Sequence, residues 1–166
     1  MNKVENNLLY AVKYTFLILA VWLFIILEQG VFFRVVFFER LRLSLVICAV
    51  LGMVSPKVAS CIVSGVCGLF CDVFCLTLPY YSLFYLYISY GCVWCESFFV
   101  SLKNKTVFLI CFLVFLTAGT GMKIFEMLMS GELYFSFAMC FEIFISAVLN
   151  SALSPVIYRV LKRLKF

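Results

Sequence analysis

The sequence predicts an all-α integral membrane protein, formed by a bundle of about six transmembrane helices. Its composition is the first observation: 66% of the 166 residues are hydrophobic and 13% are charged, whereas soluble domains contain about 45–50% apolar and about 25% charged residues. The second is that apolar runs of helical length follow one another with short polar breaks. The third is that no loop is long enough for a separate domain, so residues 1–166 are predicted to form a single transmembrane domain.

Six predicted spans divide the chain at polar or turn-forming segments. They cover about residues 8–27, 43–54, 58–75, 80–101, 106–128 and 133–160. The first continues past the length of a signal peptide and has no small-residue cleavage site near its end, so it is predicted to be retained. The second has twelve residues, against the ~20 that cross a bilayer. We therefore expect it to borrow from the aromatic segment 31–42, predicted to lie along the headgroups, with Arg40 and Arg42 reaching outward.

The basic residues predict the orientation of these spans. An even number of spans places both termini on one side, and the two sides then differ in Lys and Arg content. The first side carries Lys3, Lys13, Lys57, Lys103, Lys105, Arg159, Lys162, Arg163 and Lys165. The second carries Arg34, Arg40, Arg42 and Lys123. Because basic residues concentrate on the cytoplasmic side, both termini are predicted to be cytoplasmic.

Ionisable residues inside the spans are candidates for function because each costs about 2.5–3.5 kcal/mol to insert at a helix centre. Three stand out: Asp72, Glu96 and Glu142. Two rows at four-residue spacing contain two of them and place small polar residues on one face of a helix. The third span has Ser60, Ser64, Gly68 and Asp72, with Gly65 beside them, and the sixth has Glu142, Ser146, Asn150 and Ser154. We expect both faces to point into the bundle and at each other. Helix packing is the favoured interpretation, and a substrate or proton site is the alternative.

The residue types present argue against catalysis. The chain has nine Cys and no His, so it lacks the commonest zinc ligand and the usual general base. The sequence predicts no catalytic site, no metal and no cofactor. Cys92-Val-Trp-Cys95 leaves a membrane thiol oxidase as an alternative, but the predicted outer segments contain no second cysteine pair. Lys123 and Glu126 are predicted to form a local ion pair. The isolated basic residues form no patch that would bind nucleic acid.

Two motifs resemble the rod shape-determining protein MreD family. Residues 64–72 resemble its G-x-x-G-L-x-x-D segment, from Gly65 and Gly68 to Asp72, followed by Leu78-Pro79-Tyr80-Tyr81. Asn150 and Pro155 resemble its N-x-x-x-x-P ending before a short basic tail. The chain departs from the family at 40–43, where Arg-Leu-Arg-Leu stands in place of an Arg-Pro-Asp entry to the second helix.

The resemblance implies a non-catalytic scaffold in the bacterial inner membrane, part of the cell-elongation machinery that supports peptidoglycan synthesis and cell shape. It implies a fold similar to the substrate-binding (S component) subunits of vitamin transporters. It also implies binding to a bitopic MreC-like protein, beside MreB and the RodA–penicillin-binding-protein synthase. We expect the outward contact surface to include Phe32, Phe33, Phe37 and Phe38.

A transporter subunit is the alternative in a different functional class. The substrate-binding subunit of an energy-coupling vitamin transporter would have the same six spans and helices rich in small residues. The polar row of Glu142 and Asn150 favours it. Against it, the sequence shows no dense polar pocket facing outward.

Overall fold

A computed structural model describes residues 3–30, 42–75, 79–99, 102–131 and 136–163. Within these ranges the chain is all-helical. Its helices are α1 (Lys3–Gly30), α2 (Leu43–Val54), α3 (Lys57–Cys75), α4 (Tyr80–Glu96), α5 (Asn104–Ser130) and α6 (Phe137–Arg163).

The predicted helices are confirmed as helices, and three of them have the dimensions of a membrane span. Lys57–Phe74 of α3, α5 and α6 are long and apolar enough to cross a bilayer. Two further apolar stretches, Tyr14–Glu28 and Leu43–Val54, are shorter. The sequence therefore predicts the bounds of α2 and α3 closely, whereas α4 ends at Glu96, five residues before its predicted end.

The short helix α2 is the centre of the bundle. It contacts all five other helices, and eight of its twelve residues are buried: Ser44, Val46, Cys48, Ala49, Val50, Leu51, Gly52 and Met53. A helix that is apolar on every side is stable when other helices surround it. At 1.5 Å per residue α2 is about 18 Å long. Because its neighbours enclose it, it does not need the length of a span that faces lipid.

Close packing of α2 and α3 against α4 depends on two glycines. A Cβ atom at Gly68 of α3 would collide with the backbone of Ser82 in α4. One at Gly52 of α2 would lie 2.5 Å from the carbonyl oxygen of Ser89, also in α4. Small residues let helix backbones approach closely in membranes, where van der Waals packing drives association. These positions therefore fix α4 against both helices.

The end of α5 has a glycine cap. Gly131 follows Ser130 with φ of 71°, the left-handed conformation that glycine adopts without a Cβ clash. The sequence predicts a turn at these two residues, and the helix ends there. Along its length α5 packs mainly against α6 and also against α4.

Candidate functional site

Side chains from two other helices hold the first turn of α2. The backbone N–H of Arg42 donates to Oδ1 of Asn150 in α6 at 2.9 Å, and that of Ser44 donates to Oε1 of Glu28 in α1 at 2.9 Å. The first N–H groups of a helix have no partner inside it, and the helix dipole favours negative charge there. Asn150 is the middle residue of α6, and Glu28 lies two residues before the end of α1, so α2 begins inside the bundle. Glu28 and Asn150 supply the cap that a helix beginning at this depth cannot obtain from water.

A chain of hydrogen bonds continues from Glu28 into the core. The hydroxyl of Ser44 donates to Oε2 of Glu28 at 2.7 Å and lies 2.7 Å from the hydroxyl of Tyr85. The thiol of Cys71 donates to the Tyr85 hydroxyl at 3.4 Å. Tyr85 and Cys71 are buried, where a polar group without a partner would cost free energy. These hydrogen bonds link α1, α2, α3 and α4, and the series ends at the carboxylate of Glu28.

Asp72 has the same role at the beginning of α4. Its two carboxylate oxygens accept the backbone N–H groups of Tyr81 at 2.8 Å and Ser82 at 3.0 Å. The residue is 5% exposed. A carboxylate placed on the first N–H groups of a helix is stabilised by those bonds and by the helix dipole. The hydrogen bonds of the Asp72 carboxylate therefore join α3 to α4.

The two small polar faces do not meet, and the prediction that they point at each other is wrong. Ser64, Gly65, Gly68 and Asp72 lie on α3, where Gly65, Gly68 and Asp72 contact α4 directly. Among the described residues α3 and α6 make no contact, while α2 contacts both. The sequence periodicity identified which face of each helix is polar. It could not identify the partner, because the central position of α2 follows from the packing of all the helices.

The predicted residues of α6 are divided between the helix interior and a cavity. Asn150 and Ser154 are buried, Ser146 and Pro155 are half-buried, and Glu142 is exposed. The Asn150 amide donates to the carbonyl oxygen of Ser146 at 2.8 Å, and the Ser154 hydroxyl donates to that of Asn150 at 3.2 Å. Pro155 lies inside α6, which continues to Arg163. The four predicted partner-surface residues, Phe32, Phe33, Phe37 and Phe38, lie outside the described residues.

A cavity of about 260 Å³ lies between α4, α5, α6 and the beginning of α2. It occupies the half of the bundle where α2, α4 and α6 begin and α5 ends. Its apolar lining is Leu45, Phe84, Ile88, Phe115, Ala118, Gly119, Met122, Ile143 and Ala147, and its polar lining is Arg42, Tyr81, Tyr85, Lys123, Glu126, Glu142, Ser146 and Asn150. The sequence showed no dense polar pocket, and the fold assembles one of mixed polar and apolar lining from four helices.

The charged residues of the cavity differ in their partners. Lys123 Nζ lies 2.6 Å from Glu126 Oε2, which confirms the predicted ion pair, and both side chains are about 40% exposed. Arg42 was predicted to reach outward to the headgroups, and this is wrong: the residue is half-buried and lines the cavity. There it donates to the Met122 sulfur at 3.9 Å and lies 5.7 Å from the centroid of the Tyr81 ring. Among the described residues no carboxylate oxygen lies within 4.0 Å of this guanidinium.

The Cys92-x-x-Cys95 pair consists of one buried and one half-buried thiol. Both are free thiols, and Cys92 is fully buried in the core beside Val93 and Cys111. Redox-active cysteines need a partly exposed, electropositive surrounding. In the described part of the chain no group of three or more His, Cys, Asp or Glu could hold a metal ion.

Comparison with known proteins leaves the site to be interpreted from its own geometry. No family model, curated protein or solved structure matches the chain. The resemblance to the MreD family therefore depends on the motif residues alone. The structure adds the positions of three of them, Gly68, Asp72 and Asn150.

Sequence reasoning missed three residues that organise this region. Glu28 follows the predicted end of the first span at residue 27, Arg42 was expected to reach the headgroups, and Tyr85 was not singled out. The only available signal was that α2 is too short to leave its beginning in water, which requires polar partners from elsewhere.

Proposed function

We propose that the chain is a non-catalytic scaffold of the bacterial cell-elongation machinery. It crosses the inner membrane six times with both termini in the cytoplasm, and it binds a bitopic MreC-like protein through its helices and short loops. Through that partner it acts beside MreB and the RodA–penicillin-binding-protein synthase to support peptidoglycan synthesis and cell shape.

One observation carries this proposal: the motif residues of the resemblance are the residues that hold the bundle together. Gly68 and Asp72 fix α3 against α4, and Asn150 joins α6 to the beginning of α2. Polar groups engaged in this way support a structural role, since their hydrogen bonds are used in the fold. The apolar side chains on the outer face of α4 then offer a surface for other helices or lipid, among them Leu83, Tyr87, Tyr90 and Trp94.

Affinity purification from the host's own membranes in mild detergent tests the proposal. We expect the tagged protein to recover a single-span, coiled-coil protein together with cell-wall synthases, identified by mass spectrometry. A tagged six-span protein of unrelated function, expressed at the same level, is the control. Recovery of neither class of partner, or equal recovery by the control, would contradict the scaffold role.

The aromatic segment gives a second test of partner binding. Changing Phe32, Phe33, Phe37 and Phe38 together to Ser should reduce recovery of the bitopic partner about tenfold or more, because aromatic side chains dominate the energy of most interfaces. The matched control changes Phe98 and Phe99 to Ser, two exposed residues just after α4. Unchanged recovery with the quadruple variant would remove these residues from the interface.

A second candidate function is favoured by the cavity. The substrate-binding subunit of an energy-coupling transporter needs a pocket with a few convergent polar groups, and the cavity has this character. Under the six-span topology it lies in the outer half of the membrane, where such a subunit would capture its substrate. In the same purification this candidate predicts paired ATPases and a transmembrane coupling subunit.

The thiol-oxidase alternative is tested by changing Cys92 and Cys95 to Ala. Alanine avoids burying a hydroxyl group at the Cys92 position, which would cost about 1–3 kcal/mol. We expect the double variant to recover the same partners in the same amounts as the natural chain. A specific loss of function in a protein that still folds would favour the redox alternative.

A further inference from the structure

We propose that the cavity binds an amphiphilic anion, whose carboxylate or phosphate pairs with Arg42 and whose apolar part lies against Leu45, Ile88, Phe115 and Ala118. Binding at this site does not depend on the scaffold role.

The Arg42 guanidinium contacts no carboxylate of the described residues. Arginine remains charged at all physiological pH values, and a buried charge is costly unless an opposite charge and hydrogen bonds accompany it. The guanidinium has five N–H donors, and its contacts with described residues are a thioether sulfur and the face of the Tyr81 ring. Neither supplies a negative charge, whereas a carboxylate or phosphate would accept two parallel hydrogen bonds from the planar group.

Two other charged residues of this region, Glu28 and Lys123, already have partners. Glu28 accepts from the backbone and the hydroxyl of Ser44, so its carboxylate is held at the beginning of α2. Lys123 is paired with Glu126. Arg42 is therefore a lining cation with no carboxylate oxygen of the described residues within 4.0 Å, and Glu28 acts on it at longer range.

The apolar lining of the cavity fits the apolar part of such a ligand. The cavity of about 260 Å³ is large enough for a small molecule and is lined largely by aliphatic and aromatic side chains. It reaches the surface beside the Lys123–Glu126 pair, whose side chains are about 40% exposed. The apolar side chains give a ligand with an apolar body van der Waals contacts that a fully hydrated anion cannot make. Such an anion could come from the bilayer, as a lipid or fatty acid, or from water.

Binding of radiolabelled decanoate to the purified full-length protein in phosphatidylcholine nanodiscs tests the site. We expect saturable binding of one decanoate per chain and none of the neutral analogue decanol at the same concentrations. Arg42→Gln should weaken decanoate binding at least about tenfold, since charge-assisted bidentate pairs are among the strongest hydrogen bonds. That variant keeps the backbone N–H that donates to Asn150. Equal binding of decanol, or undiminished binding by R42Q, would overturn the proposal, as would the absence of saturable binding.

Two further variants keep the test independent of folding defects. Lys105→Gln removes an exposed cation at the beginning of α5, outside the cavity, and should change decanoate affinity less than about threefold. Ala118→Phe fills the apolar end while leaving Arg42 in place, and it should abolish binding. Retained binding with A118F would place decanoate outside the cavity and overturn the proposal even if R42Q did not fold.

Competition identifies the source of the anion. Displacement of decanoate by dioleoyl phosphatidic acid included in the nanodisc would show that a bilayer lipid fills the site. Displacement by aqueous 4-phenylbutyrate alone would show that a water-soluble carboxylate does. Partner recovery by R42Q is measured in parallel, so that failure of the ligand site and failure of the scaffold role are distinguished.

Discussion

Replacing Asp72 by Ala should destabilise the protein by about 3 kcal/mol, because it leaves two backbone N–H groups at the beginning of α4 without an acceptor. The carboxylate bonds to Tyr81 and Ser82 are 2.8 and 3.0 Å long, and water is not available to replace them at a buried site. The change should appear as a lower midpoint of thermal unfolding in a fixed detergent, measured by loss of the monodisperse species.

Glu96→Ala is the matched control for Asp72. Glu96 is the last residue of α4 and is half-buried, so this variant removes one acidic side chain without uncapping a helix. We expect a change within about 0.5 kcal/mol, as for surface substitutions away from a special feature. If the two variants lost stability equally, the capping role of Asp72 would be refuted.

Replacing Gly68 by Ala should lower the free energy of unfolding by about 2 kcal/mol. The new Cβ would collide with the backbone of Ser82 and force α3 and α4 apart. Backbone atoms cannot move aside as the end of a flexible side chain can. The loss should be visible in the same thermal unfolding assay and as increased proteolysis of the chain in detergent.

Gly121→Ala provides the same change at a tolerant position of α5. A Cβ there would lie 3.5 Å from a ring carbon of Phe84, an ordinary van der Waals distance. Because alanine favours a helix over glycine by about 0.5–1 kcal/mol, we expect this variant to be unchanged or slightly more stable. A G68A protein as stable as G121A would show that α3 and α4 are not packed this closely.

The sequence was sufficient for most helix bounds because most apolar runs end at a clear signal, whereas the end of α4 at Glu96 has no such signal. Gly131 ends α5, Pro79 precedes α4 and Ser55-Pro56 follows α2, so helix bounds could be derived from turn chemistry and hydropathy alone. The Lys123–Glu126 pair was equally accessible, since residues three apart on a helix are neighbours.

The partners of the buried polar groups could not be derived in the same way. Asp72 and Tyr81 are nine residues apart, and Arg42 and Asn150 are 108 apart. The three-dimensional arrangement of the helices decides which helix N-terminus a carboxylate caps. The position of Arg42 shows this most clearly: the same side chain could reach the headgroups or a cavity, and only the packing of α2 against α4 and α6 directs it inward.

Reporter fusions at successive positions test the six-span topology, on which the outward-facing cavity and the membrane scaffold both depend. Alkaline phosphatase is active only outside the cytoplasm. We expect activity for fusions after Gly30, Cys75 and Gly131, and none after Ser55, Ser97 and Arg163. A bundle in which only α3, α5 and α6 cross, the three helices long and apolar enough to do so alone, would instead give activity after Cys75, Ser97 and Arg163. That second pattern would contradict the six-span account.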